Sequence, residues 1–217
     1  MKKKSIAVLG LGKFGISLVK TLDKYGADVM AADKVEDFVN EVSDCCTAAV
    51  CADLSIEENL LKLGLKDMDI VVVAMGESLE PSILAVAVAK EAGVPMIVAK
   101  SSSARMSSIL QKVGANKVIM PEEYAGMRSA ALLISENLKD YFQVSDKLCM
   151  VEMVPLESWI GKSVIELNVR KKYNLTIIGV KDQDDNWVPI DPDHPIQKET
   201  ILLAVTDPQH LNKLSNK

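Results

Sequence analysis

The 217-residue chain has no run of 18 or more apolar residues, so no segment of it reads as a membrane-spanning helix. Lys2, Lys3 and Lys4 precede an apolar stretch, as the basic region of a leader would. That stretch is short, holds Gly10 and Gly12, and meets Lys13 where a leader needs a small-residue cleavage site. A basic excess is also missing: 25 Lys and Arg stand against 30 Asp and Glu, a formal charge of -5. Phosphate backbones are bound through clustered cations, so nucleic acid is not an expected partner. Histidine is scarce. His194 falls in a Pro-rich loop and His210 near the C-terminus, both expected in solvent. No Ser-His-Asp arrangement is present, and a dehydrogenase would lack its acid or base, so no catalytic residue is assigned. The four cysteines, Cys45, Cys46, Cys51 and Cys149, do not fall at a zinc spacing; they are expected as reduced, buried thiols of a cytosolic chain.

What is present begins at residue 7 with "AVLGLGKFGISLVKTL". Gly10, Gly12 and Gly15 have the G-x-G-x-x-G spacing, after an apolar run from Ile6 to Leu9 and before the helical periodicity of Phe14, Leu18, Val19 and Leu22. In that context the glycines let the backbone approach a phosphate, and the helix presents free N–H groups and a positive dipole end. Asp33 ends the next apolar run, about 20 residues on, where a carboxylate can accept ribose hydroxyls. NAD, ATP, ADP and AMP share these groups, and the choice among them stays open at this point.

Further apolar runs at 29–32, 48–51, 70–74, 96–99 and 118–120 alternate with helix-like segments, including 56–63 and 83–92. Six strands with crossover helices predict an α/β, Rossmann-like doubly wound parallel sheet of strand order 3-2-1-4-5-6. Lys13 falls at the first helix N-terminus; Lys100 and Glu122 follow the fifth and sixth strands, at the carboxyl edge where such folds bind ligands. Two lysines and a carboxylate there suit a polyphosphate with a charge-balancing cation.

A long helix is expected over 122–142, entered at Pro121, with Met127, Ala130, Ala131, Ile134 and Leu138 on one stripe that can pack on its own sheet or on a second subunit. Beyond it, strand-like runs at 148–154, 176–180 and 201–205, with "DQDDNWVPIDPDHP" as a hairpin or exposed loop, predict a small α+β domain. The domains are expected at 1–142 and 143–217, the second near the size where dimerisation helps.

"IAVLGLGKFGISLVKTL", "AAD" ending in Asp33, "ADLSIEENLLKLGL", "VGANKVIMPEE" and "IGKSVIELNVRKKYNLTIIGV" together resemble the RCK (TrkA-N/TrkA-C) gating subunits of bacterial Trk/Ktr potassium uptake systems, over essentially the whole chain. The resemblance implies a non-enzymatic cytoplasmic subunit. Its dimers would form an octameric ring that docks on a separate potassium-translocating membrane protein and gates it by nucleotide exchange. It implies that Gly10, Gly12 and Gly15, with Phe14, meet phosphates and that Asp33 and Lys34 meet the ribose. Asp53, Leu54 and the Met75–Gly76 turn would surround the base. Lys13 and Lys100 would stand near the phosphate tail, and Glu122 at a divalent cation shared across the dimer. ATP and ADP are the implied ligands, with NAD(H) an alternative. In some relatives the C-terminal domain binds cyclic di-AMP, which maps onto Val164, Ile165 and Arg170. Lys13 stands where many members carry Arg, and it lacks that residue's bidentate fork; Val35 stands where a polar residue often helps hold the ribose. A small NAD-dependent dehydrogenase of the sirohaem-synthesis type and an NAD(H) redox sensor are the other readings.

Overall fold

A computed structural model describes residues 3–76, 78–182 and 184–214; Lys2 lies outside them. The chain divides into two compact units, Met1–Glu122 and Glu123–Lys217.

In the first unit the strands are β1 (Ser5–Leu9), β2 (Asp28–Asp33), β3 (Ala48–Cys51), β4 (Ile70–Val73), β5 (Met96–Lys100) and β6 (Lys117–Ile119). They form one sheet of order β3-β2-β1-β4-β5-β6, every pair parallel, as expected. The helices α1 (Lys13–Lys24), α2 (Glu36–Val42), α3 (Glu57–Lys62), α4 (Leu79–Glu91) and α5 (Ala104–Val113) make the crossovers. The period-2 alternation of β1 shows why a continuous apolar run is needed. Ala7 and Leu9 pack with Leu60 and Ala85 on one face, while Ile6 and Val8 pack with Leu11 and Val19 on the other. Burying each such large side chain contributes about 1.5–3 kcal/mol.

In the second unit β7 (Leu138–Ser145), β8 (Leu148–Met153), β9 (Leu175–Lys181), β10 (Trp187–Pro189) and β11 (Leu202–Thr206) form an antiparallel sheet of order β10-β9-β11-β8-β7. One face is buried, so Cys149, Val151 and Met153 alternate with less buried Met150 and Glu152. The core is built around Trp159, edge-on to Tyr173 at 5.0 Å. β9 and β10 pair antiparallel, so the first part of the Asp-rich stretch, up to Pro189, belongs to a hairpin and the rest to a loop; Gln183 lies outside the described residues.

The helix expected over 122–142 is shorter: α6 runs from Pro121 to Ile134. The Ser135 hydroxyl and the Asn137 amide both donate to the Leu214 carbonyl, and Leu138 N–H turns back to Ser135. These bonds give the chain an alternative to another helical turn. Leu138, placed on the helical stripe above, is the first residue of β7, and the boundary placed at 142/143 falls inside that strand. The stripe also does not form one buried face. Of its members Ala131 and Leu138 are buried and Met127 half-buried, whereas Ala130 is exposed and Ile134 60% exposed; off the stripe, Leu133 is 88% exposed and Tyr124 60%.

The expectation of buried thiols holds for Cys149, which is fully buried. Cys45 and Cys46 are half-buried and Cys51 is exposed on the edge strand β3. Burial pushes the Cys46 and Cys149 thiols up to about 11.

Candidate functional site

The chain turns from β1 into α1 through Gly10, Leu11 and Gly12. Gly10 has φ +100°, and a Cβ there would lie 2.7 Å from Cγ of Met75, so a side chain is excluded twice over. A Cβ on Gly15 would collide with the Gly10 carbonyl oxygen; this glycine allows the helix to close onto the strand. Gly12 differs from both: it caps α1 with no side-chain bond, and nothing lies within 4 Å of where its Cβ would be. The space beside Gly12, at the helix N-terminus, is therefore open.

Asp33, the last residue of β2, is oriented by this loop. Its Oδ2 accepts from Leu11 N–H at 2.6 Å and its Oδ1 from Val35 N–H at 2.9 Å. Each oxygen keeps acceptor capacity for a ligand hydroxyl. Val35 thus contributes its backbone, and its side chain is 37% exposed.

Asp33, Lys34, Asp53, Leu54 and Met75 line one open cleft of about 130 Å³, smaller than the roughly 300–1,000 Å³ of a site that encloses a whole small molecule and of a size to seat one part of it. Ser55, Ser78 and Pro81 complete its walls and were missed from the sequence. The Ser55 hydroxyl and amide both donate to Asp53 Oδ1, at 2.7 and 3.0 Å, and the hydroxyl is the main cause holding that carboxyl below its ordinary value. Asp-x-Ser was the available signal for this turn. Ser78 and Pro81 flank the start of α4, where the expected helix began four residues late.

A second group assembles at the same edge. Lys100 ends β5 and Glu122 lies in the first turn of α6; Lys100 Nζ is 2.6 Å from Glu122 Oε1. The stem of Lys100 lies across Gly76, where a Cβ would be 2.8 Å from its Cγ and Cδ. Its ammonium stands 6.0 Å from the centroid of the Phe14 ring. The bond from Lys100 holds the Glu122 carboxyl below its usual value. Lys13, the first residue of α1, is exposed. Among the described residues no cluster of His, Cys, Asp or Glu could hold a metal ion within one chain.

In the second unit α7 (Val164–Leu167) is fixed by a reciprocal cap between Ser163 and Glu166 and followed by α8 (Val169–Tyr173). Val164 packs against the core, Ile165 is 60% exposed and Arg170 is exposed. His194 is exposed, and His210 is half-buried with its Nδ1 2.9 Å from Asn174 Nδ2. Among the described residues no helix is long and apolar enough to cross a membrane.

The sequence matches the TrkA-N domain over residues 6–121 and the TrkA-C domain over 150–217. It is 34% identical over 216 residues to Ktr system potassium uptake protein A of Bacillus subtilis (strain 168), covering all of this chain and 97% of the relative. To Ktr system potassium uptake protein C of the same organism it is 36% identical over 203 residues, 94% of this chain and 92% of the relative. Its fold is shared with the GsuK channel bound to NAD: TM-score 0.61 at 15% identity, over 98% of this chain and 39% of that one. Both domains in this order, and full-length relatives sharing about a third of their residues, place the chain in the family of Ktr potassium uptake proteins built from a TrkA-N and a TrkA-C domain.

Proposed function

We propose that this chain is a nucleotide-binding regulatory subunit that gates a separate potassium-translocating membrane protein. The observation that carries the reading is the joint of glycine turn and acid: open space at Gly12 beside a carboxylate, Asp33, already tied to the same turn. An adenine nucleotide would lay its phosphates on α1, its ribose on Asp33, and its base in the cleft of Asp53, Leu54 and Met75. The relatives' names supply the process, potassium uptake, and support a regulator over an enzyme.

ATP and ADP are the ligands of this reading, with Lys13 and Lys100 near the phosphate tail. NAD(H) is the second reading, favoured by the NAD bound to the GsuK channel of like fold. Glu122 would meet a divalent cation at the terminal phosphate together with its copy in a dimer, since a carboxylate beside a triphosphate is repulsive without one. The exposed Tyr124, Leu133 and Ile134 of α6 support a dimer through that helix, and four dimers a ring at the cytoplasmic face of the membrane. Exposed Ile165 and Arg170, with Val164 beneath, offer apolar and cationic contact to a cyclic dinucleotide.

A thermal-shift and calorimetry panel of ATP, ADP, AMP, NAD+, NADH and cyclic di-AMP on the full chain tests these assignments together. Micromolar binding of an adenine nucleotide, lost in Gly12→Val, is expected. No shift with any of the five mononucleotide and dinucleotide cofactors overturns the nucleotide reading. Cyclic di-AMP binding that survives Arg170→Ala removes the C-terminal assignment.

A further inference from the structure

We infer that Glu122 competes with the ligand phosphate for Lys100, so that the Lys100–Glu122 ion pair is a charge-exchange element at the site. The inference rests on the proposal that a nucleotide phosphate reaches the glycine turn.

The two partners are unequally placed. The Lys100 side chain is 12% exposed and that of Glu122 is 67% exposed. A lysine side chain covered along most of its length has few ways to turn its charge elsewhere, while an exposed carboxylate can return to water at little cost. Among the described residues Glu122 supplies the one carboxylate within 4 Å of Lys100 Nζ. The lysine itself has little freedom to withdraw, because its stem is laid across the bare backbone of Gly76 and its head stands near Phe14. Phe14 is the second residue of α1, two positions beyond the open Gly12. Lys100 is therefore held near Phe14 in the first turn of α1, within reach of a long phosphate tail, and its exposed counter-ion is the movable part. A phosphate that pairs with Lys100 leaves Glu122 without its partner, and Glu122 stands in the first turn of α6, the helix that leads out of the first unit. Ligand charge is thereby converted into a change at the start of that helix.

The sign of one substitution tests this. ATP binding to the full chain is measured by calorimetry with EDTA present, so that no divalent cation can bridge carboxylate and phosphate. Removing a competitor strengthens binding: Glu122→Gln is expected to raise ATP affinity about twofold to fivefold, the range of one partly exposed ion pair. The gain is expected to vanish when Glu122→Gln is made in a Lys100→Met background, because the contested charge is then gone. Unchanged or weaker binding in Glu122→Gln overturns the inference while leaving the nucleotide reading intact. An equal gain in the Lys100→Met background also overturns it, since Glu122 would then act on the phosphate directly. If the parent chain binds no ATP, the ATP reading fails, and this inference with it.

Discussion

The Asp33 carboxylate and the Leu11 amide are joined by a 2.6 Å hydrogen bond, so one side chain both closes the glycine turn and faces the cleft. Leu11 is fully buried, and its N–H has no water to turn to once that acceptor is removed. Asp33→Ala should therefore lose stability as well as ligand affinity. We expect a cost of about 1–3 kcal/mol in the ligand-free protein, the penalty of leaving a buried donor unpaired. Thermal unfolding without nucleotide reads it; a melting temperature equal to the parent's would show that the bond contributes nothing to the turn.

The three glycines separate by what a methyl group would meet. Gly15→Ala places a Cβ against the Gly10 carbonyl and should destabilise the first unit by roughly 1–3 kcal/mol or more. Gly12→Ala enters open space at a φ of -66° that alanine adopts freely, so its unliganded melting temperature should match the parent's. Its effect should appear in nucleotide affinity instead. Equal melting temperatures for the two variants would contradict this division of roles.

Helix α6 carries a prediction about assembly. Leu133 is 88% exposed, so Leu133→Asp leaves the fold of one chain intact, whereas Ala131→Asp buries a charge and should unfold the second unit. Light scattering should find the parent as a dimer or larger and Leu133→Asp as a smaller species with unchanged secondary structure. A parent that is monomeric at micromolar concentration ends the ring reading.

Arg128 and Asp140 link α6 to β7 through two bonds, Nε to Oδ1 at 2.6 Å and Nη2 to Oδ2 at 2.9 Å. The bond from Arg128 holds the Asp140 carboxyl below its ordinary value. A depressed carboxyl stabilises the fold above its unfolded pKa of about 3.9 and loses that contribution as pH falls through the lower folded value. Arg128→Met should then melt below the parent at pH 7, with the gap closing as pH drops below about 4. A gap that is the same at pH 7 and pH 3 would assign the effect to packing of the arginine stem instead.

The parallel sheet was legible because strands buried on both faces must be apolar at every position, as Val29, Ala31 and Ala32 are, and such runs stand out between polar turns. Asp33 was legible too, since a strand end beside a glycine turn is set by connectivity alone. The end of α6 was not. Leu138 continues the helical stripe of Ala131 and Ile134, and β7 gives no period-2 signal against it, because its buried residues Leu138 and Tyr141 stand three apart across a register shift. The deciding contact, from Ser135 and Asn137 to the Leu214 carbonyl, lies nearly eighty residues away.

The same distinction runs through the site. Local order along the chain, with glycine spacing, buried runs and an acid at a strand end, was enough for the sheet, its order and Asp33, because these depend on neighbours in sequence. Lys34, Asp53, Leu54 and Met75 came from the family resemblance, and Ser55, Ser78 and Pro81 only from the folded cleft. The pairing of Lys100 with Glu122 and the bond from Leu11 to Asp33 arise between segments that meet only when strands lie side by side. A charge acquires its partner, its burial and its freedom to move from that meeting, so tertiary packing alone decided which of the expected site residues are already held and which stand open to a ligand.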